Sequence, residues 1–223
     1  MNLTTVISKV SDGNMLDSSD KLNKNIINNR RIFLEKNNID IDQATRISTI
    51  YEGSDYRRYR EVSNKDKGAG MYNGNVVTAD ALVTKKSNHA LFLPIADCIG
   101  AVIFDPIKQI LMLSHLGRHA IEQNGGLESI RFLENKYGCK SDDLLIFLTP
   151  APGKDVYPLF AFENRSLKSV VVEQLQSAGV LLSHIKDNPS DTSKDSEYFS
   201  HSEFLKGNRK EDGRFAVVAM IRK

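Results

Sequence analysis

Cys98 and His115 are the two residues of this sequence whose types and spacing are best suited to chemistry. Cys98 lies near the start, and His115 at the end, of the segment ADCIGAVIFDPIKQILMLSH, residues 96–115. In this segment two apolar runs flank a short polar stretch. A thiol next to an imidazole can act as a nucleophile with its base, and the two side chains can also bind one metal ion. The sequence therefore indicates a Cys/His site, provided that the fold brings the two residues together.

The two apolar runs predict a β-hairpin with a four-residue loop at residues 105–108, DPIK. In that register Phe104 faces Gln109, and Cys98 directly faces His115 with Cβ atoms about 4.5–5.5 Å apart. A loop one residue longer or shorter would break the register. The alternative interpretation is structural: Cys98 would be a small buried apolar residue, and His115 an ordinary polar residue at a strand end.

Polar neighbours of the pair favour a functional site. Asp97 precedes the cysteine, and Gly117-Arg118-His119 follows shortly after the histidine. The guanidinium of Arg118 is suited to bind a phosphate or a carboxylate. The alternative for Arg118 is a surface charge on the helix that follows.

Three helices and eight strands are predicted to position this segment. One helix begins near Ser19-Asp20, a second runs from about residue 126 to Tyr137 and stops at Gly138, and a third spans about 167–175 and ends at Gly179. The strands are predicted over 45–51, 79–84, 90–96, 99–104, 109–115, 143–149, 180–185 and 214–221.

The spacing of these elements predicts the fold class. Consecutive central strands are too close for crossover helices, so that part of the sheet must be antiparallel. We therefore expect an α+β fold of mixed, largely antiparallel sheets with helices packed outside. The segments 63–75 and 186–196 are predicted to be loops.

Composition is typical of a cytoplasmic globular protein. The 223 residues are 40% hydrophobic and 26% charged, and we expect one domain over residues 1–223. A net charge of +2 gives no indication of a nucleic-acid or membrane partner. The apolar runs are too short to cross a bilayer, the first residues do not resemble a signal peptide, and two distant cysteines favour a reducing compartment.

Several segments together resemble the YfiH-type laccase-domain family, also called multicopper polyphenol oxidoreductase-like proteins. The strongest are TADALVT (78–84), HALFLPIADC (89–98), DP (105–106) and SHLGRHA (114–120). Weaker similarity at 28–39, 148–159, 198–201 and 213–221 extends the match over most of the chain in the right order. The resemblance implies an α+β sandwich shared with cysteine-dependent deamidases, and purine nucleoside phosphorylase activity with adenosine deaminase activity.

The family site implied by this resemblance contains one cysteine and two histidines that bind zinc or copper. Cys98 and His115 match two of these residues, whereas the position of the other histidine falls on Glu52 in one alignment and on Asn73 in another. A Cys/His/Glu set is tolerable for zinc, but the lost imidazole works against copper. The resemblance thus implies zinc rather than copper, or no metal at all, and it assigns a phosphate contact to Arg118 or His119.

Three functions remain open from the sequence. The first is a purine nucleoside phosphorylase or deaminase that acts on adenosine or inosine, with a nucleoside and phosphate as its ligands. The second is a metal-independent amidase or deamidase with Cys98 as nucleophile and His115 as base. The third is a catalytically inactive family member that serves as a binding module, which the missing histidine supports. A laccase reaction is the least supported, because it needs several copper ions.

Overall fold

The computed structural model describes residues 3–16, 23–51 and 53–223 of the chain. Within these ranges the backbone forms eleven strands and five α-helices. The strands are β1 (Leu3–Ile7), β2 (Ala44–Ser48), β3 (Tyr59–Glu61), β4 (Val77–Thr78), β5 (Ala81–Thr84), β6 (Ala90–Ile95), β7 (Ile99–Asp105), β8 (Ile110–Leu116), β9 (Leu145–Leu148), β10 (Ile185–Asp187) and β11 (Phe215–Ile221). The helices are α1 (Lys24–Lys36), α2 (Arg118–Glu122), α3 (Gly125–Tyr137), α4 (Leu167–Ser177) and α5 (His201–Leu205).

The described strands form two sheets. The five-stranded sheet has the order β1-β11-β6-β2-β4, and the six-stranded sheet has the order β10-β9-β7-β8-β5-β3. In the first sheet β11 is antiparallel to both of its neighbours, whereas β2 is parallel to β6 and β4. In the second sheet β7 and β8 form the longest antiparallel pair, and the two outermost pairings are parallel. The predicted α+β class with mixed sheets is confirmed.

Apolar side chains fill the space between the two sheets and cover both outer faces. Phe215 of the first sheet and Leu113 of the second belong to the cluster between the sheets. The outer face of the six-stranded sheet packs against α3 and α4, for example through Leu133. The outer face of the five-stranded sheet packs against α1 through Phe33 and Leu34. Both faces of the central strands are buried, which explains their nearly continuous apolar sequences.

The register predicted for the β7–β8 hairpin was wrong. Gly100, not Cys98, pairs with His115, because Asp105 remains in the strand opposite Ile110 and the loop comprises residues 106–109. The Asp105 carboxylate accepts hydrogen bonds from two backbone amides of the loop, at 2.9 and 2.8 Å, and Gln109 adopts a left-handed conformation. The register is displaced by two residues, and an even displacement leaves every side chain on its original face.

Two of the three predicted helices have the predicted ends. Gly138 and Gly179 follow α3 and α4 with φ angles of 63° and 94°, in the left-handed region that favours glycine. The capping pair Ser19-Asp20, predicted for the first helix, lies outside the described residues. This helix begins at Lys24, and the Asn23 side chain accepts a hydrogen bond from the amide of Asn25.

Short elements account for most other differences from the sequence prediction. Strands β1, β3 and β4 and helices α2 and α5 were not predicted, since each contains seven residues or fewer and shows little periodicity. The predicted strand at 180–185 is instead a 3₁₀ turn at Leu182–His184, and β10 extends into the predicted loop at 186–196. None of the helices in the described ranges is long and apolar enough to cross a membrane.

A buried histidine lies between β2 and β6. His89 is fully buried, and its Nε2 atom lies 2.7 Å from the hydroxyl of Thr45. Burial, together with the positive charge of Lys67, lowers the pKa of His89 from 6.5 to about 4, against the opposing effect of Asp66. The neutral imidazole is therefore the form that the folded protein accommodates.

We expect acid to destabilise the protein through His89. Its folded pKa is below its unfolded pKa, so its contribution is fully present above pH 6.5 and is lost as the pH falls towards 4. Between pH 7 and pH 5 the free energy of unfolding should fall by about 2 kcal/mol on account of this residue. Urea unfolding at both pH values should show that His89→Gln removes this part of the pH dependence.

The control for this experiment is His119→Gln, because the side chain of His119 is 54% exposed. It should leave the pH dependence as it is in the wild type. An unchanged pH dependence in His89→Gln would contradict the assignment of a neutral buried imidazole at this position.

Candidate functional site

Cys98 lies where the chain passes from one sheet to the other. Strand β6 ends at Ile95 in the five-stranded sheet, and β7 begins at Ile99 in the six-stranded sheet. Between them Asp97 adopts a left-handed conformation with a φ of 63°. Its buried carboxylate accepts hydrogen bonds from the Ser202 amide at 2.6 Å and from the Thr192 hydroxyl at 3.3 Å. These contacts fix the backbone immediately before the cysteine.

His115 lies on β8 and is held by the residue before β5, the strand that flanks β8 on the side away from β7. Its backbone amide donates to the carbonyl of Asp80 at 2.8 Å, and its side chain is only 6% exposed. The buried carboxylate of Asp80 forms a bidentate ion pair with the partly exposed Arg58, with distances of 2.7 and 3.0 Å. The imidazole therefore lies on strand β8 next to a segment that is fixed by charge-assisted hydrogen bonds.

The surroundings of Gly117 show that the side chains of Cys98 and His115 lie close together, although the two residues are not opposite each other in the β-ladder. A Cβ atom at this glycine would lie 3.1 Å from Sγ of Cys98 and 3.1 Å from Cε1 of His115. The two side chains thus converge on one point, as diagonal neighbours on the same face of a sheet can. The closeness of the pair follows the sequence prediction, but the directly opposed geometry does not.

Burial determines the charge state of the pair. Burial, with a further contribution from Asp97, raises the pKa of the Cys98 thiol to about 12, against the opposing effects of Arg214 and Arg118. Burial lowers the pKa of His115 to about 4, against a smaller effect of Asp80. At neutral pH the pair is a thiol and an uncharged imidazole, rather than the thiolate and imidazolium of a cysteine nucleophile.

Two adjoining cavities meet at this pair. The larger has a volume of 440 Å³ and the smaller a volume of 150 Å³. Their shared walls are Tyr51, Cys98, His115 and Tyr157. The larger cavity is also lined by charged and polar side chains, which include Arg46, Thr49, Asp97, His201 and Arg214. The smaller one is also lined by Tyr56, Asp80, Gly117, Arg118, His119 and Ala120.

Arg118, a candidate for the phosphate contact, lines the smaller cavity. Its guanidinium lies over the ring of Tyr157 at 4.7 Å and near that of Phe160 at 5.9 Å. The buried Nε atom of Arg118 has no hydrogen-bond partner in the part of the chain that the structure describes. His119 stacks on Tyr56 at 4.8 Å and is more exposed. Of the two candidates, Arg118 is thus the one with a buried donor that lacks a partner.

Several residues of the cavities had no role assigned from the sequence. The ring of Tyr51 lies edge-on to His115 at 6.3 Å, and Tyr157 and His201 line the larger cavity. Tyr157 and His201 occur in segments of family resemblance, 148–159 and 198–201. The family resemblance of these segments could have indicated that Tyr157 and His201 are functional. Nothing in the spacing of the two residues indicates that they approach Cys98.

The described residues do not complete a metal site. Cys98 and His115 supply two donors, but residues 3–16, 23–51 and 53–223 contain no group of three or more His, Cys, Asp or Glu side chains that could hold a metal ion. A protein site for zinc usually supplies three donors or more. Asn73 lines neither cavity, and its side-chain Oδ1 accepts a hydrogen bond from the backbone amide of Asn75. Glu52, the other candidate, lies outside the described residues.

The sequence and the fold are both similar to those of known proteins. The sequence profile of the family described as multi-copper polyphenol oxidoreductase laccase matches residues 7–164. The purine nucleoside phosphorylase YlmD of Bacillus subtilis (strain 168) is 23% identical over 128 residues. That alignment covers 56% of this chain and 45% of the relative, less than half of its length.

Two solved structures share the fold over nearly the whole chain. YlmD from Geobacillus stearothermophilus has a TM-score of 0.84, with 100% of this chain and 93% of that chain covered. The hypothetical protein YfiH of Bacillus licheniformis has a TM-score of 0.83, with 99% and 93% covered. Both are 18% identical to this chain, so the likeness establishes the fold and leaves the chemistry to the site itself.

We expect Cys98 to react slowly with alkylating agents at neutral pH. With a pKa of about 12, its thiolate fraction is far below that of a free thiol. At pH 7.5 its reaction with iodoacetamide, followed by peptide mass spectrometry, should be at least about 100-fold slower than that of a single-cysteine peptide. The rate should still be rising at pH 10. A plateau below pH 8 would instead reveal a stabilised thiolate and favour the cysteine-nucleophile alternative.

Proposed function

This chain belongs to the multi-copper polyphenol oxidoreductase laccase family, and from this membership we propose that it is a purine nucleoside phosphorylase acting on adenosine or inosine. One observation carries the proposal: Cys98 and His115 lie at the junction of two cavities that differ in size and in the residues that line them. A relative with the same named activity supports it. Adenosine deamination is the second reaction proposed for this site.

The larger cavity suits a nucleoside. Its volume of 440 Å³ is within the range of about 300–1,000 Å³ that is typical of small-molecule sites. Tyr51 and Tyr157 offer aromatic rings that can pack against a purine base. Polar side chains such as Thr49 and Ser202 are available for the ribose hydroxyls. The same cavity extends to Cys98 and His115, where the reacting carbon would lie.

The smaller cavity suits phosphate. Its cation is Arg118, which has an unpaired donor, whereas the arginines of the larger cavity have partners. Arg214 pairs with Asp212 at 2.6 Å, and Arg46 donates to the carbonyl of Gly70 at 2.7 Å. Arginine is suited to a phosphate because its planar group can make two parallel hydrogen bonds. We assign the phosphate contact to Arg118, with His119 beside it.

The proposed reaction is a displacement at C1′ of the ribose. A phosphate oxygen forms a bond to C1′ while the bond from C1′ to the purine nitrogen breaks, and the bonding electrons leave with the base. Uncharged His115 can accept a proton or a hydrogen bond from the phosphate, and the protonated thiol of Cys98 can donate a weak hydrogen bond at the junction. No step in this scheme uses a metal ion. Glu52 remains the proposed third ligand if zinc binds.

Replacing Cys98 should abolish the activity. We expect purified wild-type protein to release base from adenosine or inosine in the presence of phosphate, and Cys98→Ala to lose at least about 100-fold in kcat/KM. Base, ribose 1-phosphate and deaminated product are measured by liquid chromatography. The matched control is Cys139→Ala, because Cys139 is the other free cysteine and is buried in the cluster beneath α3 and α4, outside both cavities. Full activity in Cys98→Ala would reject the proposed site.

The same assay with added zinc tests whether the site uses a zinc ion. It also tests the alternative that the protein is a catalytically inactive binding module. A response to zinc that Glu52→Gln removes would support Glu52 as a ligand. Nucleoside binding without turnover, with and without zinc, would reject the phosphorylase and favour the binding module.

Replacing Arg118 should impair the use of phosphate more than the use of nucleoside. We expect Arg118→Ala to raise the KM for phosphate by about tenfold or more, because a charge-assisted contact is lost. The KM for the nucleoside should change little. The control is Arg131→Ala, an exposed arginine that pairs with Glu128. An unchanged phosphate KM in Arg118→Ala would show that another group holds the anion.

A further inference from the structure

His201 is placed in the larger cavity by the first turn of α5. The amide of the next residue, Ser202, donates to Asp97, which immediately precedes Cys98. His201 itself lines the cavity together with Cys98 and His115. The histidine is thus tied to the reaction site through one hydrogen bond and two peptide links, although it is about a hundred residues away in sequence.

Asp212 orients this imidazole. Nδ1 of His201 lies 2.8 Å from a carboxylate oxygen of Asp212, which also accepts a bond from Arg214 at 2.6 Å. Burial alone would raise the pKa of the Asp212 carboxyl, but the hydrogen bonds from Arg214 and His201 outweigh this effect and lower the pKa. The two ring nitrogens point in different directions, so Nε2 is directed away from Asp212. Within the described ranges Nε2 has no hydrogen-bond partner.

The geometry of a displacement determines where an acid is needed. The nucleophile and the leaving group lie on opposite sides of C1′, so phosphate in the smaller cavity implies that the base departs into the larger one. A purine leaves with an electron pair and leaves more easily when N7 receives a proton. The required proton donor must therefore line the larger cavity.

Few side chains of that cavity can supply this proton. Arginines do not release protons near neutral pH. Asp97 is a carboxylate whose oxygens already accept two hydrogen bonds. Tyr51, Tyr157, Cys98 and His115 also line the smaller cavity, so they lie beside the phosphate rather than on the side of the departing base alone. Among the described lining residues His201 remains.

We propose that His201, oriented by Asp212, is the general acid that protonates the departing purine. In the balanced step the bond from C1′ to N9 breaks, a phosphate oxygen bonds to C1′, and the proton of Nε2 passes to N7 as the electron pair enters the base. The imidazole is left neutral, with Nδ1–H still donating to Asp212. This inference rests on the proposed phosphorylase function and adds a catalytic residue that lies outside the Cys98/His115 pair.

Nucleosides methylated at N7 provide the test, because their base is already cationic and leaves without a proton. The substrates are adenosine, inosine and the 7-methyl analogue of each. Turnover of all four is measured with the wild-type protein and with His201→Gln. We expect His201→Gln to lose about 10²–10⁴-fold in kcat on the unmethylated nucleosides. Turnover of the 7-methyl analogues should stay close to wild type, which also shows that the variant is folded. His201→Asn serves as a second variant, and His184→Gln, outside both cavities, is the control.

Two results would overturn the inference, and they are distinguishable. An equal loss on methylated and unmethylated substrates, or no loss on either, would remove His201 as the acid while leaving the phosphorylase in place. Wild-type protein that cleaves none of the four nucleosides would reject the proposed function itself, and with it the role of His201.

Discussion

The buried carboxylate of Asp97 connects two distant parts of the chain. It lies in the link between the two sheets, and it accepts hydrogen bonds from Thr192 and from the first turn of α5. A buried charge requires such partners, because it would otherwise be costly to keep away from water. These bonds hold the backbone next to Cys98 against the first turn of α5, and both Cys98 and His201 line the larger cavity.

The same burial that supports the fold limits the chemistry. Cys98 and His115 are removed from water to an extent that keeps both uncharged at neutral pH, so neither is an activated nucleophile. An uncharged pair can still position a substrate and accept or donate hydrogen bonds. Arg118 lines the smaller cavity, whereas His201, paired with Asp212, lines the larger one. In the proposed reaction the phosphate and the departing base therefore occupy different cavities.

Sequence patterns predicted the parts of this molecule that local physics determines. The long amphipathic helices and buried strands have strong periodicity, and Gly138 and Gly179 mark helix ends because they adopt left-handed conformations. The hairpin register was missed because the Asp105 side chain bonds to its own loop, which no hydrophobic pattern shows. The closeness of Cys98 and His115 could be predicted because Cys98 directly precedes one strand of the hairpin and His115 lies in the other. Tyr51, Tyr157 and His201 reach the cavities through long-range packing, which one sequence does not encode locally.

The position of β11 also has a consequence for the order in which the molecule forms. This strand comes last among the described elements, yet it lies inside the five-stranded sheet between β1 and β6. Strand β1 is made well before Phe215–Ile221, its neighbour among the described strands. Contacts over such sequence distances slow folding and leave strand edges exposed in the meantime. The six-stranded sheet, with its central hairpin of neighbouring strands, can assemble earlier, so the five-stranded sheet stays incomplete until β11 has been made.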